Sequence, residues 1–339
     1  MIEKKISLKE YSTFHIGGDA EYFTIVRTKE ELREAIQWAR TEGCVWRVIG
    51  EGSNILFGDN LLKGLTIKNA IKGISISKQE EGIDITASAG ESLDAVVAYA
   101  CSHGWWGLEN LSHIPGTVGA TPIQNVGAYG VEISHILQSV LVYDSQSDAF
   151  KILTSSDCLL GYRHSLFKEE AGKKYVICNV SFLLPYNIGP SISYRDLALY
   201  FKDTPQELTP IDVREAVIAI RSKKFPNWHT IGTAGSFFKN PIIHSEAFRE
   251  LQARYPGVVG HVTSSGQVKV ALGWILDHVC QVRGVREGAV GTYDAQALVV
   301  VNHGNATAEE VMLFAKKISS NVKEKTNIDI ECEVTYIST

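Results

Sequence analysis

The sequence predicts an α+β fold, with mixed helix and strand segments at both ends and a strand-rich stretch between them. Three observations carry this expectation. A capping signal near the N-terminus sets one amphipathic helix between two strands. Short β-branched and aromatic runs dominate from Ile71 to Leu184. Helices and strands then alternate beyond Lys223. At 339 residues the chain should form two or three domains, on a prior of ~150 residues each. The segments expected are 1–70, 71–222, 223–326 and a terminal strand within 327–339.

Taken in order, Glu21 to Arg27 reads as a strand. Thr28-Lys29-Glu30-Glu31 reads as a capping box, with Thr28 the N-cap and Glu31 three residues on. Leu32, Ala35, Ile36 and Ala39 fall on one helical face, and Gly43 suits the stop. Val45 to Ile49 is a strand, which completes a small βαβ unit over roughly the first seventy residues. Strands follow at Ile83 to Ala89, Val140 to Tyr143 and Tyr175 to Leu184, with a helix from Leu93 to His103. Thr209-Pro210-Ile211-Asp212 opens a helix through Ile220, because proline suits the first helical turn. Further helices are expected at Ser245 to Arg254, Lys269 to Asp277 and Thr307 to Lys325. Strands are expected at Gln296 to Asn302 and Ile328 to Ile337.

Composition narrows the function classes. Hydrophobic residues make up 45% and charged residues 21% of the chain, as in ordinary globular proteins. A net charge of −5 provides no basic field for nucleic acid. No apolar run reaches the ~20 residues that span a bilayer, and Met1 to Lys5 lacks the apolar core of a signal peptide. The six cysteines include no Cys-x-x-Cys pair, which argues against a zinc ribbon or redox disulfide and fits a reducing cytoplasm. The ten histidines include no His-x-x-x-His pair, so no metal site is expected.

Two glycine-rich segments stand out. The first follows the strand Val45 to Ile49 directly: Gly50-Glu51-Gly52-Ser53-Asn54. Ile55 stands where a dinucleotide fingerprint would place its third glycine, and no helix is expected to follow. Taken alone it is a weak signal, and a plain tight turn is the better explanation. The second runs from His113 to Gly130. It holds four glycines and two prolines but no Asp, Glu, Lys or Arg. Glycine lets a backbone N–H face a ligand at positive φ, and successive N–H groups form a cup for an anion such as a pyrophosphate. With no lysine or arginine in the stretch, the backbone itself must supply most of the positive potential. The interleaved Ile114, Val118, Ile123 and Val126 argue for a partly buried loop, and a long loop inside a compact domain is usually functional. Two such cups together favour a dinucleotide cofactor.

Three further segments carry candidate chemistry. In Gly161-Tyr162-Arg163-His164-Ser165 the guanidinium sits amid aromatic and small residues, as it does when it forks a carboxylate. A packed surface arginine fits equally well. In Thr233-Ala234-Gly235-Ser236-Phe237-Phe238-Lys239-Asn240-Pro241 a serine lies on a backbone that can approach a ligand. It is not the Gly-x-Ser-x-Gly elbow of hydrolases, and read alone the segment is better explained as a turn before a strand. In Ile330-Glu331-Cys332-Glu333-Val334, strand alternation would put Glu331 and Glu333 on one face and Cys332 and Val334 on the other.

These segments, in this order and spacing from about residue 10 to 337, resemble the UDP-N-acetylenolpyruvoylglucosamine reductase family. The matching runs are Gly50 to Asn54, Ile114 to Gly119, Pro122 to Gly130, Gly161 to Arg163, Ala234 to Pro241 and Glu331 to Val334. The resemblance implies a flavoprotein of bacterial cell-wall (peptidoglycan) precursor synthesis. Its two N-terminal subdomains, 1–70 and 71–222, would hold noncovalent FAD in a vanillyl-alcohol-oxidase-like fold. A C-terminal α/β domain, 223–326, would cover the substrate, and 327–339 would return to the active site. FAD is then expected on Gly50, Glu51, Gly52, Ser53 and Asn54 of the first turn. In the long loop it is expected on Ile114, Pro115, Gly116, Thr117, Gly119, Ala120, Gln124, Asn125, Gly127, Ala128, Tyr129 and Gly130.

The implied reaction passes a hydride from NADPH through FAD to the enolpyruvyl ether of UDP-N-acetylglucosamine, giving UDP-N-acetylmuramate. By similarity, Arg163 and Glu333 stabilise the charge that develops toward the substrate carboxylate. Ser236 supplies the proton to carbon. A carboxyl in a dry site beside another carboxylate can have its pKa raised enough to share a proton. Tyr194, Lys224, Asn240, Gln296 and His261 match positions that hold the UDP-sugar. Two departures stand out. His261 occupies a lid position where relatives with this longer loop carry tyrosine, and Thr335 stands where many carry arginine. The expected enzyme is a cytoplasmic monomer with a small-molecule partner, no nucleic acid and no membrane contact. Another flavin oxidase of the same fold, or a UDP-sugar binder without turnover, are the alternatives.

Overall fold

The computed structural model describes residues 1–204 and 207–339. The chain divides into two compact units. The first comprises Met1–Ile6, Ala20–Glu51 and Lys63–Ser222; the second comprises Ser7–Asp19, Gly52–Leu62 and Lys223–Thr339.

The first unit is built on two sheets. One runs in the order Glu3–Ser7, Asp19–Val26, Leu62–Asn69, Trp46–Ile49. Trp46–Ile49 pairs in parallel with Leu62–Asn69; the helix Lys29–Thr41 lies in the chain between Asp19–Val26 and Trp46–Ile49, as expected, but Leu62–Asn69 separates those two strands in the sheet. Leu32, Ala35, Ile36 and Ala39 are buried as the periodicity requires. Thr28 caps the helix by accepting the Glu31 N–H, and Gly43 turns the chain at φ 63°. The box is displaced by one residue: the Glu31 carboxylate accepts the N–H of Arg27, not that of Thr28.

The second sheet of this unit is fully antiparallel, in the order Ala149–Thr154, Leu137–Asp144, Tyr175–Pro185, Gly82–Ser88, Ile74–Lys78. The helix Leu93–Ser102 packs Leu93, Val96, Val97 and Ala100 into a core with Ile85, Val140, Val180 and Phe182. The loop His113 to Gly130 is stitched to the connection between the strand Gly82–Ser88 and the helix Leu93–Ser102. Val118 N–H donates to Glu91 O, Gly119 N–H to Ala89 O, and Leu93 N–H to Gly116 O. The helix Pro210–Lys224 opens as expected, with the Thr209 hydroxyl accepting the Asp212 N–H.

The second unit gathers a core of Phe14, Ile16 and Leu56 with Phe237, Phe238, Val270, Val300 and Phe314. One sheet runs Gly232–Ser236, Gln296–Asn302, Val290–Tyr293, Arg286–Glu287. A small second sheet runs Ile242–Ile243, Val268–Val270, Gly260–Val262. The helix Ala308–Thr326 has a complete capping box from Thr307 and Glu310, and Asp59 accepts the N–H groups of Ala308 and Glu309. Ser245–Arg254 is helical as expected.

Two expectations are corrected here. The helix expected over Lys269 to Asp277 begins only at Leu272 and passes into a π-helical turn, Ile275–Val279. Lys269 instead lies in the strand Val268–Val270, opposite Ile242 and His261. The β-branched valines fit a strand, and the helix starts where the Asn240 carboxamide accepts the Leu272 N–H at 3.0 Å. The terminal strand expected over Ile328 to Ile337 is confined to Thr335–Ile337, which pairs in parallel with Ile55–Phe57. A three-residue partner can template no more, and Cys332 adds only an isolated bridge to Phe238. Strand alternation therefore fails there: Glu331 and Cys332 are both exposed, Glu333 is half-buried and Val334 is buried.

Glycine is required by packing at Gly119, where a Cβ would lie 2.6 Å from the Ala89 Cβ. Gly119→Ala should cost about 1–3 kcal/mol of stability by overpacking. Adding Ala89→Gly should restore part of it, as read from urea unfolding of the single and double variants.

Candidate functional site in each unit

In the first unit the two glycine-rich turns touch. A Cβ on Gly50 would fall 2.4 Å from the Thr117 hydroxyl oxygen. The Glu51 carboxylate accepts the Gly116 N–H at 3.0 Å. These contacts lock the end of the strand Trp46–Ile49 against the first part of the long loop. The loop itself breaks into short 3₁₀ turns, Val118–Ala120 and Pro122–Gln124, followed by the tiny hairpin Gly127–Ala128 with Val131–Glu132. Its backbone turns through the left-handed region at Gly116, Asn125, Tyr129 and Gly130, with φ of 122°, 47°, 50° and 86°.

The expectation of a cup made of bare amides needs correction. The N–H groups of Gly116, Val118, Gly119, Ala120, Thr121 and Val126 are all spent within the unit. The absence of cations is likewise a feature of the stretch alone. The helix Pro210–Lys224 brings Arg221, whose Nε donates to His113 O at 3.0 Å, and whose side chain also hydrogen-bonds Tyr129. Burial lowers the Arg221 pKa and pushes the Tyr129 phenol up to about 12. Arg214 of the same helix grips Asp94 through both carboxylate oxygens, at 2.6 and 3.0 Å, and Asp94 accepts the His113 N–H at 2.6 Å. Glu109, 1% exposed, has its pKa raised by burial. Asp94, Glu109, Arg214 and Arg221 were invisible to motif reading because they lie outside the glycine runs. The isolated arginines of an otherwise apolar helical face were the only available signal.

Arg163 sits in a two-residue turn closed by reciprocal hydrogen bonds between Gly161 and His164, at 3.0 and 3.2 Å. Its own φ is 52°, a conformation that costs a side-chain-bearing residue energy and persists where surroundings enforce it. The long loop supplies that enforcement. The Asn125 carboxamide donates to Gly161 O at 3.1 Å and to the Glu132 carboxylate at 2.7 Å, and accepts the Ser134 N–H. The Ser165 hydroxyl donates to Ile123 O at 2.6 Å. Tyr194 stands edge-to-face with Tyr129, their ring centres 5.4 Å apart.

In the second unit, Gly52 (φ 65°) packs so closely that a Cβ would meet Tyr11 O at 2.1 Å. The strand carrying Ser236 contains a bulge: Thr233 opposes Val301, but Ser236 opposes Val299. Gly235, at φ 74°, makes the irregularity, and a Cβ there would meet nothing within 4 Å. Bulges beside active sites re-aim a side chain. Thr233 holds this one: its buried hydroxyl donates to Val300 O at 2.9 Å and accepts the Gly235 N–H at 3.2 Å. Glu333 is brought to the same place, its N–H donating to Phe237 O at 2.8 Å. The neighbouring Glu331 pairs with Lys239 at 2.7 Å, and that lysine holds its carboxyl below the usual range. Ser236 and Glu333 therefore share one piece of framework.

Of the residues expected on the UDP-sugar, Tyr194 belongs to the first unit and the other four to this one. Asn240 has its Oδ1 on the Leu272 N–H, Gln296 begins its strand half-buried, and Lys224 ends the helix Pro210–Lys224. His261 is exposed in the strand Gly260–Val262.

Residues 20–152 match the FAD binding domain family, and residues 226–337 match the UDP-N-acetylenolpyruvoylglucosamine reductase C-terminal domain. The UDP-N-acetylenolpyruvoylglucosamine reductase of Ralstonia nicotianae is 39% identical, over 99% of each chain. The chain belongs to this reductase family. The reductase of Escherichia coli K12 is 37% identical over 98% of this chain and 95% of its own. A crystal structure of the UDP-N-acetylenolpyruvylglucosamine reductase of Thermus caldophilus matches with a TM-score of 0.68 at 23% identity, over 99% and 98% of the two chains. A solvent-stable cholesterol oxidase matches with a TM-score of 0.51 at 12% identity, over 97% and 86%. The fold is thus α+β, an FAD binding domain followed by a UDP-N-acetylenolpyruvoylglucosamine reductase C-terminal domain. Among the described residues, no helix is long and apolar enough to cross a membrane.

At Gly130 a Cβ would meet nothing within 4 Å, and the backbone φ of 86° is what favours glycine there.

Two outcomes follow. Asp94 is opposed by burial, but the Arg214 pair and the His113 N–H outweigh it and lower its pKa. Its stabilising contribution is present at neutral pH and fades as pH falls below about 4, through the depressed folded-state value. The Tm difference between wild type and Asp94→Asn should therefore be largest near neutrality and shrink on acidification below about pH 4, as read by calorimetry. Thr233→Val should leave the Gly235 N–H and Val300 O without this partner and cost about 1–3 kcal/mol, whereas Thr233→Ser should retain most of the stability in the same unfolding assay.

Proposed function

We propose that this chain catalyses the NADPH-dependent, FAD-mediated reduction of UDP-N-acetyl-3-O-(1-carboxyvinyl)glucosamine to UDP-N-acetylmuramate, in peptidoglycan precursor synthesis. The supporting observation is the hydrogen-bonded framework that carries Ser236 and Glu333 together, in a chain similar to named reductases over nearly its whole length.

On this reading, residues 1–70 and 71–222 are the FAD-binding subdomains, with the turn Gly50 to Asn54 and the loop Ile114 to Gly130 as the cofactor's main-chain seat. Residues 223–326 bind the UDP-sugar and 327–339 complete the site. When bound, FAD supplies hydride transfer between NADPH and the substrate. The protein's part is electrostatic and proton-handling. Arg163 pairs with the substrate carboxylate, toward which negative charge develops. Glu333 acts at the same carboxylate and must be protonated or share a proton to help there. Ser236 Oγ–H supplies the proton that quenches the adjacent carbon. A hydroxyl is a weak acid in water, but a carbanion is a strong base and the transfer distance is short. Tyr194, Lys224, Asn240, Gln296 and His261 hold the nucleotide-sugar, with Lys224 as a point charge for the diphosphate. The protein acts as a cytoplasmic monomer.

The direct test is the visible absorption spectrum of purified protein, followed through addition of NADPH and then of the enolpyruvyl substrate. A yellow preparation that bleaches and then recovers supports the reading; a protein unable to take up flavin ends it. Ser236→Ala should leave bleaching by NADPH intact and nearly abolish recovery. Arg163→Ala should slow recovery by about 10²–10³, the usual cost of losing one stabiliser of developing charge. Equal loss in both half-reactions would remove the role assigned to Ser236.

A further inference from the structure

We propose that Asn54, the last residue of the first glycine-rich turn, is a positioning residue for Glu333. The geometry is local to the second unit. Asn54 Nδ2 donates to Glu333 O at 3.1 Å. Two residues further along, the Thr335 N–H donates to Asn54 O at 3.0 Å. One residue therefore holds the main chain on both sides of Val334, once through its side chain and once through its backbone.

The third support comes from the serine strand. The Glu333 N–H donates to Phe237 O at 2.8 Å, and the Lys239 N–H donates to Glu331 O at 2.9 Å. The peptide groups of Glu333 are thus fixed at the N–H by the residue after Ser236, and at the carbonyl by Asn54. Around Glu333 the chain has no ladder to rely on, since regular pairing begins only at Thr335 with Ile55. An irregular segment whose peptide groups are held by two specific partners loses its orientation when one is removed. The Phe237 contact is backbone to backbone and cannot be altered by substitution. The Asn54 carboxamide can. The first unit uses the same device on Arg163, where the Asn125 carboxamide holds Gly161 O.

The consequence for chemistry rests on the role given to Glu333 under the proposed function. Loosening its backbone should weaken the step in which it acts, and leave untouched the step in which it does not. A misplacement of about 1 Å in a catalytic group can cost ~10²-fold.

The experiment compares wild type, Asn54→Ala and Asn54→Asp, each reconstituted with FAD and also as apoprotein. Asp keeps the size of the side chain but cannot donate to Glu333 O. Amide hydrogen exchange over 330–337 is measured by mass spectrometry in both forms. Flavin bleaching by NADPH and its recovery with substrate are timed separately. The expected result is exchange at 330–337 faster by about fivefold or more in both variants, the loss of one hydrogen bond. Recovery should slow by about 10- to 100-fold, beyond whatever change the same variants show in FAD content and in bleaching. Unchanged exchange would overturn the proposal. So would faster exchange with unimpaired recovery, or an equal loss in bleaching and recovery that marks Asn54 as acting through the flavin alone. A wild-type protein that bleaches but never recovers with this substrate would instead sink the functional reading, while the exchange data would still report whether Asn54 holds the segment.

Discussion

A long irregular loop can be buried only if its peptide groups find partners, and in this chain polar side chains provide many of them. Glu51 takes the Gly116 N–H, Asp94 takes the His113 N–H, and Asn125 ties Gly161 and Ser134 to the loop. These are single contacts, each worth about 1 kcal/mol net. Their effect lies in fixing glycine-rich backbone that has no ladder or helix of its own. Glycines that would otherwise contribute only conformational freedom are held at defined, often positive, φ values.

The same economy governs the second unit. A bulge at Ala234 and Gly235 re-aims the strand at Ser236, and the Thr233 hydroxyl keeps the bulge in one shape. The C-terminal segment then lies along the residues that follow Ser236, with Asn54 on its other side. Rigid sheet and helix sit behind these irregular stretches: the helix Ala308–Thr326 and the strand Gln296–Asn302 bury Val311, Phe314, Ile318, Val299 and Val300. The segments around Ser236 and Glu333 are irregular backbone, and their shape comes from the framework to which that backbone is bonded.

Charge was redistributed by folding in a way the linear order concealed. The loop His113 to Gly130 contains no cation, yet Arg221 donates to its first residue and hydrogen-bonds Tyr129. Arg214, one turn pair earlier on the same helix, is neutralised by Asp94. The two arginines thus have different standing: one is bound in a bidentate ion pair, and the other is crowded against the loop and has its pKa lowered by burial.

Much of the framework was legible from residue order alone. Periodicity gave the face of Lys29–Thr41, cap chemistry gave its start, and β-branched runs gave the strands at Trp46–Ile49, Tyr175–Pro185 and Gln296–Asn302, because these signals are local. The glycine turns and the segments around Arg163, Ser236 and Glu333 were also legible, since their unusual composition survives without knowledge of their neighbours. What residue order could not supply is whatever depends on a distant partner. Lys269 became a strand residue because Ile242 and His261 flank it, and the last strand shrank to Thr335–Ile337 because Ile55–Phe57 offers only three residues. Amides that looked open were already bonded to Glu91 and Ala89, and the Asn54 carboxamide donates to a residue 279 positions away. Local propensity is written in the chain itself, whereas the satisfaction of each peptide group is decided only when distant segments meet.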